Sequence, residues 1–356
     1  MISRIPIRNI YYLLCYAWNR LEEDEPVDVN TLDGADTVNL LAQLLVALTH
    51  NAVRRGLNRD YLTRHEELAG VRGRLLVAES SRKLLFNHGR AACAFDELDH
   101  NNLPNRILKA SLETLHDAET ITGENKIGIA TVVRELNGID AADLRPALFR
   151  RVRLHRSNSH YGMLLSICEL AYDCLLPERG DGVHRFRNFV EDHALMAVIY
   201  EEFVRNFYSA HAPRYGYAKV SAPVINWVAT SSDDPSADVL PRMETDIVLD
   251  GPRKIIIDCK FYHEALLTRF DQKRLNPGNL YQIYAYVKNQ SVVPGWEDVE
   301  GLLLYPTVQA DFAVGYDMGG NRVRAATVDL AQPWPQIRNR LLEHIAPAGD
   351  LRRAYH

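Results

Sequence analysis

Asp246, Asp258 and Lys260 are the residues whose types and spacing best suit chemistry. Acid-x-lysine triplets are weak evidence alone, since the chain carries three: Glu124-Asn125-Lys126, Asp258-Cys259-Lys260 and Asp271-Gln272-Lys273. Context separates them. Only Asp258 ends a β-branched run, Ile255-Ile256-Ile257, with a second acid-bearing strand-like run just upstream, Glu244-Thr245-Asp246-Ile247-Val248-Leu249. Residues two apart in a strand share a face, so Asp258 and Lys260 project together while Cys259 points into the opposite layer. If the two runs pair as a hairpin, an odd loop such as Gly251 to Arg253 opposes Asp246 to Asp258; an even loop opposes Asp246 to Ile257 unless a bulge corrects the register. Two adjacent carboxylates repel unless a cation separates them, and such oxygens suit Mg²⁺ with retained water and phosphate ligands. With Lys260 orienting the attacking water, the expected chemistry is hydrolysis of a phosphodiester. An ordinary surface ion pair is the competing reading of the triplet by itself.

Two further features favour the chemical reading. Downstream, Asn279-Leu280-Tyr281-Gln282-Ile283-Tyr284-Ala285-Tyr286 reads as a helix that sets Gln282 and Tyr286 one turn apart on one face, able to hydrogen-bond a DNA phosphate or the active-site strand. Alternatively, Gln282 completes a capping box with Asn279 and the tyrosines fill the core. Upstream, Glu201 lies on a helix expected from about Glu191 to Tyr208, where it could complete a metal shell; with Glu202 it equally suits a solvated helix edge.

The elements that must hold these residues follow an α/β order after about residue 190: helix, strands, helix, strand. Before them, Ile5-Pro6-Ile7-Arg8-Asn9-Ile10-Tyr11-Tyr12 opens a helix packed on several sides, and a second helix runs from about Thr37 to Asn51. Between Gly70 and Arg90, glycines punctuate short arginine-bearing segments, as in an exposed basic arm. With 356 residues, 47% hydrophobic and 24% charged, the chain is expected to divide into domains at residues 1–157 and 158–356. A net charge of −5 argues against coating nucleic acid through global charge, so local patches such as Phe149-Arg150-Arg151-Val152-Arg153-Leu154-His155-Arg156 must do that work, unless this is a solvated strand or linker with alternating charge. Five cysteines without a C-x-x-C pair, no signal pattern and no apolar run of about 18 residues fit a soluble protein of the reducing cytoplasm, away from membranes.

Glu201, Asp246, Asp258-Cys259-Lys260 and Gln282-x-x-x-Tyr286 together resemble the RecB-like branch of the PD-(D/E)xK nucleases. Ile5 to Tyr12, Gly70-Val71-Arg72-Gly73-Arg74, Asn87-His88-Gly89, Phe95-Asp96, Asn105-Arg106-Ile107, Leu240 to Asp246 and Leu304-Tyr305-Pro306 resemble the McrC family, essentially end to end. That resemblance implies a restriction-endonuclease-like C-terminal domain with a mixed sheet flanked by helices, behind an N-terminal α+β adaptor domain with a protruding arm. It further implies a Mg²⁺-dependent endonuclease that cuts double-stranded DNA near modified cytosine, its arm entering the pore of a hexameric AAA+ GTPase, McrB. Asp246, Asp258 and secondarily Glu201 would be metal ligands, with Lys260, Gln282 and Tyr286 completing the catalytic set. GTP would be bound by the partner, since this chain has no G-x-x-x-x-G-K-[S/T] loop. The alternatives are a catalytically silent GTPase-activating adaptor and a free-standing RecB-like repair nuclease.

Overall fold

Pro6 supplies a preset φ ahead of an apolar run, and in the computed structural model helix α1 spans Ile7–Ala17 behind it. The structure describes residues 5–18, 36–155, 158–177, 184–230, 239–261, 267–269, 272–308 and 312–346. It divides into two units, one formed by Met1–Thr37 with Asn188–His356, the other by Val38–Arg187. This corrects the division expected after Ser157. The opening helix belongs with the C-terminal half because its contacts are there: Tyr16 meets Phe203 and Phe207 edge-on and tilted, and Asn9, 3% exposed, donates to the Leu330 and Gln332 carbonyls. Such partners, some 190 to 320 residues away, leave no local signature.

The Val38–Arg187 unit begins with most of α2 (Thr37–Arg55), then β1 (Asp60–Leu68), β2 (Arg74–Leu75), α3 (Val77–Arg82) and β3 (Ala91–Asp99). The strands form an antiparallel sheet ordered β1-β3-β2. Helices α4 (Leu103–Asp117), α5 (Gly123–Glu135), α6 (Pro146–Arg151) and α7 (Tyr161–Cys174) follow, then a short pair, β4 (Leu175–Pro177) and β5 (His184–Phe186). Helix α7 packs on α4, and its buried Tyr161 hydroxyl donates to Asn105 Oδ1 at 2.7 Å, which is why this unit runs past residue 157. Arg72, Arg74 and Arg90 are exposed, as expected of an arm. The 70–90 segment is basic, with five lysines and arginines against Glu79, but the sheet it joins is balanced: residues 60–99 carry seven acids against six lysines and arginines, and Arg72 and Arg64 pair with Glu97 and Asp99. Balanced charge with exposed Tyr61, Val71, Leu84 and Leu98 suits a protein surface better than a polyanion. The Phe149–Arg156 segment is a short helix end and exposed coil rather than a strand; Arg156 lies outside the described residues.

The second unit resumes at α8 (His193–His211), which starts there because Asp192 caps it, its carboxylate accepting from the N–H groups of Ala194 and Leu195. Then come β6 (Lys219–Ser221), β7 (Val224–Ile225), β8 (Met243–Glu244), β9 (Ile247–Asp250), β10 (Ile255–Cys259), β11 (Leu267–Arg269), β12 (Gln272–Arg274) and α9 (Pro277–Gln290). Strands β13 (Glu300–Thr307), β14 (Ala313–Met318) and β15 (Asn321–Asp329) and helix α10 (Trp334–Ile345) close the unit. The main sheet is ordered β14-β15-β13-β10-β9-β6, with β10, β13 and β15 parallel and the others antiparallel. This is the expected mixed α/β sheet flanked by helices. Helix α9 covers one face through Ile283, Tyr286 and Val287 against Ile256, Leu303 and Val323. It comes close because β13 offers Gly301 there: a Cβ would sit 2.8 Å from Ile283 Cγ1 and 2.9 Å from Val287 Cγ2. Helix α8 packs on β10 and β6, and α10 on β15. Among the described residues no helix is long and apolar enough to cross a membrane.

Candidate active site

Strand β10 carries three apolar residues and then two polar ones at its carboxyl end, beside parallel β13, where ligands collect in open α/β sheets. The ladder with β9 pairs Ile255 with Leu249, Ile256 with Val248 and Ile257 with Ile247, which is the register of the odd loop. The ladder stops there. Asp246 leaves it in a bend, and its Oδ2 accepts the Cys259 N–H at 2.7 Å. Asp258 is 0% exposed; Lys260 Nζ stands 2.9 Å from its Oδ2, whereas Oδ1 has no hydrogen-bond partner among the described residues. Cys259 turns to the other layer, as expected, where burial pushes its thiol well up.

The electrostatics follow from that geometry. Burial first, then the neighbouring Asp258 charge, pushes the Asp246 carboxyl up to about 7, against the Cys259 N–H and Lys260, which favour its ionised form. Burial also raises Asp258, and Lys260 opposes the shift. A buried carboxylate oxygen without a donor, beside a second acid held reluctantly ionised, is the donor set that a hard divalent cation would satisfy. Two carboxylates with water and phosphate suffice for Mg²⁺.

Glu201 is near enough for its charge to raise both aspartates, but its carboxylate is turned to Arg205 Nη1 at 2.9 Å. Among the described residues, no three His, Cys, Asp or Glu side chains are grouped to hold a metal, and the Glu201 carboxylate pairs with Arg205. Gln282 and Tyr286 do share a face of α9: Gln282 Nε2 donates to the Tyr286 hydroxyl at 2.8 Å, which donates to the Glu244 carbonyl at 2.9 Å. They therefore serve the strand leading to Asp246. The capping-box alternative does not hold, because Asn276 caps α9, while Asn279 is buried and donates to the Tyr305 hydroxyl. Of the competing triplets, Glu124-Asn125-Lys126 lies in the first turn of α5, and Asp271 falls outside the described residues.

Residues missed by the sequence reading are Thr245 and Pro223. Thr245 is buried and donates through Oγ1 to the Pro223 carbonyl at 2.6 Å. A proline inside a strand-like run was the available sign, since proline in a sheet marks an edge or a bulge.

A family model described as McrBC 5-methylcytosine restriction system component matches residues 8–306. The chain is 31% identical over 340 residues to the Type IV methyl-directed restriction enzyme EcoKMcrBC of Escherichia coli K12, covering 95% of this chain and 97% of that relative. Among solved structures, a chain of the half-complex from the tetradecameric assembly of Thermococcus gammatolerans McrB AAA+ hexamers with bound McrC shares the fold, with a TM-score of 0.53 and 19% identity over 95% of this chain and 76% of that one. Both the matched family model and the end-to-end relative agree with the resemblance read from the motifs, and the chain belongs to the McrBC 5-methylcytosine restriction system component family.

Proposed function

We propose that this chain is the Mg²⁺-dependent endodeoxyribonuclease subunit of a GTP-driven restriction complex, built on a PD-(D/E)xK fold and cutting double-stranded DNA that carries modified cytosine. The observation that carries the reading is the trio at the end of β10: Lys260 Nζ 2.9 Å from one Asp258 oxygen, the other oxygen buried without a donor among the described residues, and Asp246 raised to about 7 beside it. Asp246 and Asp258 would hold Mg²⁺, which supplies charge neutralisation at the scissile phosphate when bound. Lys260 orients the attacking water and takes up part of the charge that develops on its deprotonation. Its ammonium is anchored by Asp258, so it stays within reach of that water. Burial of the pair keeps the local dielectric low and strengthens each of these interactions.

The partner reading draws on the family, on the relative's description as a methyl-directed restriction enzyme, and on the solved complex in which McrC is bound to McrB hexamers. We assign GTPase engagement and stimulation to the exposed β1-β3-β2 sheet, and nucleotide binding to a McrB-like AAA+ partner. Plasmid cleavage is the test, using methylated and unmethylated DNA with and without the partner, GTP and Mg²⁺. Cleavage requires all four of methylated DNA, partner, GTP and Mg²⁺, and Asp258→Ala abolishes it while the variant still stimulates the GTPase. A folded Asp258→Ala protein that cuts at the wild-type rate overturns the nuclease assignment.

A further inference from the structure

The strand that bears Asp246 changes register just where that residue sits. β6 pairs with β9 as Lys219 to Asp250, Val220 to Leu249 and Ser221 to Val248. Further along the same two segments, β7 pairs with β8 as Val224 to Glu244 and Ile225 to Met243. Two residues, Ala222 and Pro223, thus lie opposite three, Thr245, Asp246 and Ile247. The extra residue makes a β-bulge, which bends its strand and re-aims a side chain.

Three interactions hold the bulge. Pro223 has no N–H to give the ladder, and its carbonyl accepts from Thr245 twice, from the backbone N at 3.3 Å and from Oγ1 at 2.6 Å. On the preceding residue, the Glu244 carbonyl accepts from the Tyr286 hydroxyl at 2.9 Å. On the following one, Asp246 Oδ2 takes the Cys259 N–H. In the register of β9 with β10, Cys259 would face Thr245, so a side-chain carboxylate stands where a strand carbonyl would otherwise be. Thr245 and Tyr286 are each 5% exposed, so neither hydroxyl has ready access to water as an alternative partner.

We propose that Thr245 and Tyr286 are positioning residues that hold this bulge in place, and thereby set the Asp246 carboxylate beside Asp258, where the two would share one divalent cation. The inference rests on the metal-dependent reading above. Neither residue touches the cation in this assignment; each acts through the backbone on either side of the ligand. Groups that orient a metal ligand typically change metal affinity by about 10- to 100-fold when removed.

The test compares Thr245→Val, which keeps the shape and removes the donor, with Thr245→Ser, which keeps the donor, in the full-length protein. Calorimetric titration with Ca²⁺ reads cation binding without turnover, and the Mg²⁺ dependence of cleavage is measured in the assembled complex. Thr245→Val weakens Ca²⁺ binding about tenfold and raises the Mg²⁺ concentration for half-maximal cleavage by a similar factor, with a much smaller loss of rate at high Mg²⁺. Thr245→Ser returns both to within about twofold of wild type. Should Thr245→Val not fold, Tyr286→Phe loosens the same bulge from the other side and gives the same split. Wild-type Ca²⁺ affinity in a folded Thr245→Val or Tyr286→Phe protein overturns the positioning role, as does equal impairment of the Val and Ser variants. A wild-type protein that binds no divalent cation overturns the metal reading itself.

Discussion

Asp246→Asn isolates the electrostatic cost of the site. Asparagine keeps an acceptor for the Cys259 N–H and removes the charge that burial and Asp258 disfavour. The folded-state pKa of Asp246 is raised from 3.8 to about 7, so the folded protein binds the proton more tightly than the unfolded chain, and stability falls as pH rises between those values. At about 1.4 kcal/mol per pH unit, the ionised group costs the metal-free protein about 4 kcal/mol at pH 8 and only about 1 kcal/mol at pH 4.5. The substituted chain has no such cost. Thermal unfolding in EDTA should therefore show Asp246→Asn melting higher than wild type at pH 8, by roughly 8 °C or more at about 2–4 °C per kcal/mol. The gain should shrink to roughly a quarter of that by pH 4.5. Added Mg²⁺ should raise the wild-type melting temperature and leave the variant unmoved, narrowing the difference as binding offsets the repulsion. A gain that is independent of pH, or a loss at pH 8, would refute the account of a buried and a half-buried carboxylate awaiting a cation.

Lys260→Ala should keep Ca²⁺ binding, since both carboxylates remain, yet slow cleavage at least about 100-fold at saturating Mg²⁺; retention of the wild-type rate in single-turnover assays excludes it from the chemistry. Gly301→Ala inserts a methyl group against Ile283 and Val287, both 0% exposed, so α9 must shift, with a loss of about 1–3 kcal/mol in denaturant unfolding and weaker Ca²⁺ binding through the displaced Tyr286. An unaltered unfolding midpoint would mean that the helix does not depend on this close approach. Gly73 has a φ of +67° and would place a Cβ 2.5 Å from the Ala94 carbonyl, so Gly73→Ala should separate β2 from β3 and reduce GTPase stimulation while Ca²⁺ binding stays at its wild-type value. Full stimulation by that variant would remove the β1-β3-β2 sheet from the partner surface.

What could be read from residues alone was what local periodicity encodes. The two-residue period put Asp258 and Lys260 on one face and Cys259 on the other, the odd loop set the β9–β10 register, and the four-residue spacing put Gln282 beside Tyr286. The general class of the sheet domain followed from the order of apolar runs. Tertiary structure alone decided the remainder, because it depends on segments that meet across long stretches of chain. The docking of α1 beside α8, which moves the unit boundaries to Thr37 and Asn188, rests on Tyr16 and Asn9 finding partners far along the sequence. Glu201 had the type and position of a ligand; its ion pair with Arg205, one helical turn on, was legible in the same four-residue spacing but was not read from it. Thr245 carried no chemical signal of its own; its role appears when Pro223, 22 residues earlier, offers a carbonyl to both its backbone N–H and its hydroxyl. The pKa of Asp246 belongs to the same class, since desolvation and a neighbouring charge are properties of the packed site and not of the residue.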